Sequence, residues 1–267
     1  MSNRVRLEMH GSVARVTLTR ADKHNGMDMA MLDEVRAAAR RLKKDRRVRA
    51  VILHGDGPSF CAGLDIKSLF GDKRAIALGL AALRSPFRNR FQDWSMAWRE
   101  VPVPVIACVH GNCFGAGIQL ALGADIRIAT PDAKLSVMES KWGLIPDMGG
   151  PTLLRELVRI DVAKELAMTG RVLTGQQAHA LGLVSHLSDA PLEHAERLVL
   201  EFEARSPDAV AAAKLVMQDA WHRSESGALA AERRWQRPLL GSRQQRIAVT
   251  RNLEKKDLPY GPRRVGA

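Results

Sequence analysis

Val103-Pro104-Val105-Ile106-Ala107-Cys108-Val109, then His110-Gly111-Asn112-Cys113-Phe114-Gly115-Ala116-Gly117, then Ile118-Gln119-Leu120-Ala121-Leu122 is the stretch that decides how this chain is read. Its first part is β-branched and uncharged, the pattern of a buried strand. The second is a turn of small residues, and the third begins a helix. A strand that enters a helix through small residues leaves main-chain N–H groups unpaired at the helix start, with the positive end of the helix dipole behind them. Such a corner accepts an anion, or an oxygen on which negative charge develops. The small residues Gly115-Ala116-Gly117 let a ligand approach the main chain. Downstream, Glu139 and Asp147 lie within the segment from Ser136 to Gly150. A polarising corner with carboxylates near it suits chemistry on an acidified C–H.

The chain has 267 residues, 46% hydrophobic and 26% charged, which bounds it to one large soluble domain or one domain with an appendage. Cys61, Cys108 and Cys113 form no CxxC pair, and an odd count argues against a disulfide framework. A reducing, cytoplasmic setting is expected. Met1-Ser2-Asn3-Arg4-Val5-Arg6 carries no apolar run, so no secretory signal is expected. Val101 to Ala124 has no formal charge, yet its prolines, glycines, His110, Asn112 and Gln119 suit a buried strand–turn–helix and not a membrane span. The net charge of +12 fits polyanionic partners, a phosphate-rich cofactor or nucleic acid. The basic stripe Arg40, Arg41, Lys43, Lys44, Arg46 and Arg47 falls at the end of a predicted helix, where cations complement the dipole. Without interleaved aromatics it reads as a solvated face, and nucleic acid is disfavoured.

In chain order, Arg4–Met9 and Val13–Thr19 alternate about Gly11-Ser12 and predict a hairpin. Asp28 is a candidate N-cap for a helix with Leu32, Val35, Ala39 and Leu42 on one face. Val48–His54 predicts another strand, and the loop to Lys67 turns into a short helix that Asp65 caps. A helical region spans about Lys73 to Glu100, broken at Ser85-Pro86, with Trp94 and Trp98 as core residues. Asp125–Ala129, Lys134–Ser136 and Leu183–His186 predict short strands, and the chain is mostly helical from Pro151, with caps at Thr174 and Ser206. His110 and Asp125 read as structural, and the cysteines as small core residues with no base to activate them. Gly115-Ala116-Gly117 continues to Leu120 where a dinucleotide fingerprint needs glycine, and no GxxxxGK, GxSxG, HExxH or metal-spaced Cys/His set is present.

Several of these motifs occur together. Ser59-Phe60-Cys61-Ala62-Gly63-Leu64-Asp65-Ile66-Lys67, His110-Gly111 with Gly115-Ala116-Gly117 and Leu120, Ala124-Asp125-Ile126-Arg127, and Gly143-Leu144-Ile145-Pro146 resemble the crotonase (enoyl-CoA hydratase/isomerase) superfamily. Asp22-Lys23-His24-Asn25-Gly26-Met27 resembles its first CoA-contacting segment. The resemblance implies an α/β fold, a crotonase-like spiral of repeated β-β-α units with the acyl-CoA site over residues 1–190. It implies a helical C-terminal region over 191–267 that builds homotrimers, often paired as hexamers. An acyl-CoA is the implied substrate, CoA arriving as part of it, with no separate cofactor and no metal. The thioester oxygen would lie between the N–H groups of Leu64 and Ala116. The family usually has glycine at the second of these; Ala116 keeps the N–H and adds a methyl group. Substrate and CoA contacts are implied for Lys23, Asn25, Ala62, Gly63, Asp65, Ile66, Gly115 and Gln119. Lys255-Lys256 to Arg263-Arg264 are looser candidates for the CoA phosphates.

The carboxylates separate the reactions. Hydratases of this superfamily use two glutamates; Glu139 stands at the second position, and Gln119 occupies the first. Hydration takes a proton from water and delivers one to carbon, and an amide orients water but carries no proton. One missing acid/base group costs about 10²–10⁴-fold in rate. A double-bond shift needs a single carboxylate, and Glu139 stands where the family's isomerases place their base. Asp147 matches a position that is acidic in dienoyl-CoA isomerases, although those carry an aspartate where this chain has Gln119. The expectation is therefore isomerisation of an unsaturated enoyl- or dienoyl-CoA, with Glu139 as base and Asp147 as second acid/base or as a tuner of Glu139. The alternatives are an enoyl-CoA hydratase using Glu139 with a Gln119-held water, and, from another class, a non-catalytic acyl-CoA binder or a basic nucleic-acid-binding scaffold.

Overall fold

Alternation puts Ala14, Val16 and Leu18 on the core face of β2 (Val13–Leu18), which pairs antiparallel with β1 (Val5–His10) from Val5–Leu18 to His10–Val13. The computed structural model describes residues 3–71 and 73–266. Met1, Ser2, Asp72 and Ala267, which fall inside the divisions 1–190 and 191–267, lie outside the described residues. Asp28 caps α1 (Met29–Lys44) as expected, its Oδ1 accepting the Met31 N–H at 2.8 Å. The stripe Met31, Leu32, Val35, Ala39 and Leu42 is buried, each larger side chain contributing about 1.5–3 kcal/mol. α1 thereby carries the chain back to β3 (Ala50–Gly55), which runs parallel to β2.

Short helices follow: α2 (Ile66–Phe70), α3 (Lys73–Leu83) and α4 (Asp93–Met96), the last continued by a 3-10 turn at Ala97–Glu100. The helical region stops before Pro86, because the residue ahead of a proline avoids the helical conformation. It restarts where Asn89 Oδ1 accepts the Phe91 and Gln92 N–H groups at 2.9 and 3.0 Å. Trp94 and Trp98 are fully buried.

β4 (Val105–Val109) is buried at every residue, as a continuous apolar strand covered on both faces should be. It leads to β5 (Asn112–Phe114) and α5 (Ala116–Leu122), then to β6 (Ile126–Ala129), β7 (Lys134–Ser136), α6 (Gly150–Leu154) and α7 (Ile160–Thr169). β8 (Leu173–Thr174) runs into α8 (Gly175–Ala180), which Thr174 and Gln177 cap reciprocally, and β9 (His186–Leu187) closes the series. The strands form a six-stranded sheet ordered β1-β2-β3-β4-β6-β9 and a three-stranded sheet ordered β5-β7-β8. β9 forms later than the expected Leu183–His186. Leu183 and Val184 both donate their N–H to Ala178 O and turn into the core instead.

The C-terminal helices are α9 (Pro191–Glu203), α10 (Pro207–Ala220), α11 (Glu225–Gln236) and α12 (Arg243–Leu253). Ala195 and Val199 of α9 pack on Ala50, Ile52, Ile106, Cys108 and Ile128, so α9 closes the second face of the large sheet. Asp125 is structural: its Oδ2 accepts the Val105 N–H at 2.8 Å and pairs with buried Lys214 at 2.7 Å. The basic stripe is partly ion-paired, through Arg40–Asp93, Lys43–Glu100 and Arg47–Asp45. The expected reach of the tail toward CoA phosphates does not hold for Arg263. Its side chain is fully buried and donates to the carbonyls of Val265 and Asp45, closing the chain end onto α1. No helix among the described residues is long and apolar enough to cross a membrane.

Candidate functional site

Two main-chain segments meet first. Met27 N–H donates to Gly63 O at 2.7 Å and Asp65 N–H to Met27 O at 2.9 Å, so Leu64 is the centre of a parallel bridge to Met27. A residue in that position turns its own N–H to the opposite edge. On that edge runs Asn112–Ala116, held by Cys61 N–H to Asn112 O at 3.0 Å and Phe114 N–H to Cys61 O at 3.0 Å. Gly63 has φ +98, and a Cβ there would lie 2.9 Å from Phe114 O and 3.8 Å from Ala116 N. Gly117 is forced more sharply, since a Cβ would drive into the Cys61 carbonyl oxygen. Among the described residues neither the Leu64 N–H nor the Ala116 N–H meets an acceptor. Two free donors thus sit on adjacent segments, one of them at the first residue of α5.

The side-chain part of the site stands beside this corner. Glu139 begins a 3-10 turn (Glu139–Trp142), is 7% exposed, and places Oε1 3.5 Å from where a Gly115 Cβ would be. Gln119, buried in α5, donates from Nε2 to Glu139 Oε1 at 2.6 Å. Its Oε1 accepts the Met148 N–H at 2.9 Å and the Gly150 N–H at 3.0 Å. Glu139 Oε2 is buried with no partner among the described residues. Burial pushes the Glu139 carboxyl above its ordinary value; the Gln119 hydrogen bond opposes the rise and the charge of Asp147 adds to it. Asp147 is exposed at the rim, yet protein packed round its carboxyl strips enough water to raise it as well.

The remaining sequence candidates divide. Ala62 and Ile66 flank the Gly63-Leu64 bridge, Ala62 N–H donating to His24 O at 2.9 Å, and Lys23 is exposed beside them. Asn25 corrects the expectation of a substrate contact through its side chain. It is fully buried, accepting from Arg20 N–H and donating to Asp56 O and Ser59 O. Asp65 is a helix cap, accepting the Ser68 N–H at 3.1 Å and pairing with Arg20 at 2.7 Å. Gln119, expected against substrate, has its oxygen and one N–H engaged inside the protein. Burial pushes the thiols of Cys61 and Cys108 up to about 12 and that of Cys113 well above its ordinary value, so none supplies a thiolate.

Sequence reasoning missed Arg20, which also donates to Gly26 O at 2.8 Å and so ties the 20–26 turn to Asp65. It places Trp94 in the core, where the residue lies, but does not reveal that Trp94 Nε1 donates to Ala116 O at 2.7 Å and braces the start of α5. It also passed over Ser95, whose hydroxyl donates to Met148 O. No residue-type signal marks such contacts.

A family model described as enoyl-CoA hydratase/isomerase matches residues 8–263. The mitochondrial methylglutaconyl-CoA hydratase of Mus musculus is 33% identical over 217 residues, 79% of this chain and 67% of that protein. The mitochondrial Delta(3,5)-Delta(2,4)-dienoyl-CoA isomerase of Dictyostelium discoideum is 30% identical over 229 residues, 81% of this chain and 77% of that protein. A crystal structure of an enoyl-CoA hydratase from Bacillus anthracis, 26% identical, matches with a TM-score of 0.88 over 96% of this chain and 98% of the other.

Proposed function

This chain belongs to the enoyl-CoA hydratase/isomerase family and has the crotonase fold, and from that premise we propose that it shifts a carbon–carbon double bond in an unsaturated acyl-CoA. The thioester oxygen takes the Leu64 and Ala116 N–H groups, and each donor lowers the energy of a developing enolate by about 3 kcal/mol. Glu139 Oε2 removes a proton from carbon 2 of a 3-enoyl group, and the negative charge spreads through the thioester carbonyl onto the held oxygen and through the C3=C4 double bond onto carbon 4. Returning that proton to carbon 4 leaves a 2-enoyl thioester. Its burial supports the role, since a carboxylate whose proton affinity is raised is a better acceptor. CoA enters and leaves with the substrate, and Lys23 lies exposed on the side of the 62–66 segment.

The observation that carries this reading is a buried carboxylate oxygen without a partner among the described residues, beside the corner, with an amide where a second carboxylate would stand. The hydratase alternative has support of its own, in the relatives bearing that name and in Asp147 near Glu139. Separate incubations with a 3-enoyl-CoA and with crotonyl-CoA distinguish the two. The isomerase reading predicts growth of conjugated-enoyl absorbance from the first and a stable signal from the second. Fast loss of absorbance from crotonyl-CoA overturns it. Assembly into trimers belongs to the same proposal, supported by Met217 of α10 and Trp221 directly after it, 60% and 62% exposed. Sedimentation at micromolar protein checks it, and a monomer there contradicts it.

A further inference from the structure

We propose that Gln119 is a positioning residue, one that selects which oxygen of Glu139 meets the substrate and locks Glu139 to the turn carrying Asp147. The inference rests on the reading of Glu139 as the base. An amide oxygen has two lone pairs, and here each receives a main-chain N–H, from Met148 at 2.9 Å and from Gly150 at 3.0 Å. Main-chain N–H groups only donate, so the amide has one acceptable orientation. Its NH₂ end is then aimed at Glu139 Oε1, 2.6 Å away. A flipped amide would set donors against two donors and an oxygen against a carboxylate.

Three consequences follow from this one side chain. Oε1 of Glu139 is held, so Oε2 is the oxygen left for a proton. Asp147 immediately precedes the first held N–H and bonds its own N–H to Ile145 O at 2.9 Å, so Gln119 also sets how the second carboxyl stands to the first. Gln119 N–H donates to Gly115 O at 3.1 Å, one turn along the helix that presents the Ala116 N–H. The oxygen-holding corner and the clamp on the base are thus parts of one short helix, which Trp94 braces.

A glutamate at this position would also accept both N–H groups, but would press a second negative charge on Glu139. A neutral donor suits a lone base. The groups that face Glu139 are few. α5 and α6 carry no charged residue. Lys141 of the same 3-10 turn is exposed, and on packed α7 the exposed Glu165 pairs with Arg171 at 2.8 Å. Asp147 is the one charged group among the described residues found to act on the Glu139 carboxyl.

The test is a titration of protein carrying ¹³C at glutamate Cδ, followed by NMR in wild type, Gln119→Met and Gln119→Glu, with Glu139→Gln identifying the resonance. The clamp predicts that Glu139 takes up its proton at higher pH in Gln119→Met, which has lost the donor. In Gln119→Glu, carboxyls 119 and 139 should titrate as a pair in two steps separated by about one pH unit or more. Turnover of Gln119→Met should fall by up to about 10²-fold in kcat with KM nearly unchanged. A Glu139 midpoint that is the same in all three proteins overturns the proposal. The titration needs no turnover, so shifted midpoints in a protein that moves no double bond would sink the isomerase reading and leave the clamp standing. Should Gln119→Met not fold, Gln119→Glu, which keeps both main-chain bonds, carries the decision.

Discussion

The two halves of the site are built by different means. The half around Gly63-Leu64 and Gly115-Ala116 is main chain, and its shape is set by how closely backbone approaches backbone: Gly63 against Phe114 O, Gly117 against Cys61 O. The half around Glu139, Gln119 and Asp147 is side chain, and its shape is set by hydrogen bonds between residues far apart in sequence. Backbone geometry tolerates few residue types and holds its donors stiffly. A side-chain network can be retuned by one substitution, so the first half fits the common step of holding a thioester oxygen, and the second fits the choice of reaction.

Substitutions sharpen that contrast. Glu139→Gln removes the only proton carrier proposed for both halves of the shift, and turnover should fall by about 10²–10⁴-fold while CoA-ester affinity persists, as kinetics and calorimetry would show. Gly63→Ala attacks the other half. With φ +98 and Phe114 O 2.9 Å from the new methyl, the Leu64 N–H must move, and loss of one donor costs about 10²–10³-fold in kcat. That variant should also melt lower, because strain of this kind costs of order 1–3 kcal/mol. If both variants lowered KM-linked binding alone and left kcat intact, the division between holding and proton transfer would fail.

A smaller effect concerns pH and stability. Burial raises the Glu139 carboxyl in the folded chain, so the folded state binds the proton more tightly than the unfolded one. Stability linked to this group is therefore greatest at acid pH and declines as pH rises from the ordinary glutamate value, about 4.3, through the raised folded value. Glu139→Gln escapes that decline, so urea unfolding should show its advantage over wild type opening across this window and holding steady above it. An advantage independent of pH would contradict the buried-charge account. Smallest of all, Asp147→Asn takes away a charge that raises Glu139, so the acid limb of the activity profile should move to lower pH. If Asp147 also carries a proton, kcat falls too, which a dienoyl substrate would reveal.

The main-chain half was largely legible in the sequence, because a glycine or a small residue is demanded wherever two backbones nearly touch. The Asp28 and Thr174 caps, the hairpin and the buried run of β4 were legible for similar local reasons. The side-chain half was legible only as residue types. Gln119 and Glu139 are separated by 20 positions, and nothing in either neighbourhood says that the amide faces the carboxylate instead of a ligand. Asn25 and Arg263 misled for a related reason. Both are polar residues in apparent turns or tails, where solvent exposure is the ordinary expectation, and both are fully buried on main-chain groups. Trp94 shows the limit from the apolar side: its ring is core, as its spacing implies, while its single N–H serves the site.

The most direct measurement is a crystal structure of Glu139→Gln with a 3-enoyl-CoA bound, a complex that turns over too slowly to change during the experiment. The thioester oxygen should lie about 2.7–3.1 Å from both the Leu64 and Ala116 nitrogens, with side chain 139 over carbons 2 and 4. A thioester oxygen seated on other donors, or side chain 139 turned away from the acyl carbons, would contradict the account.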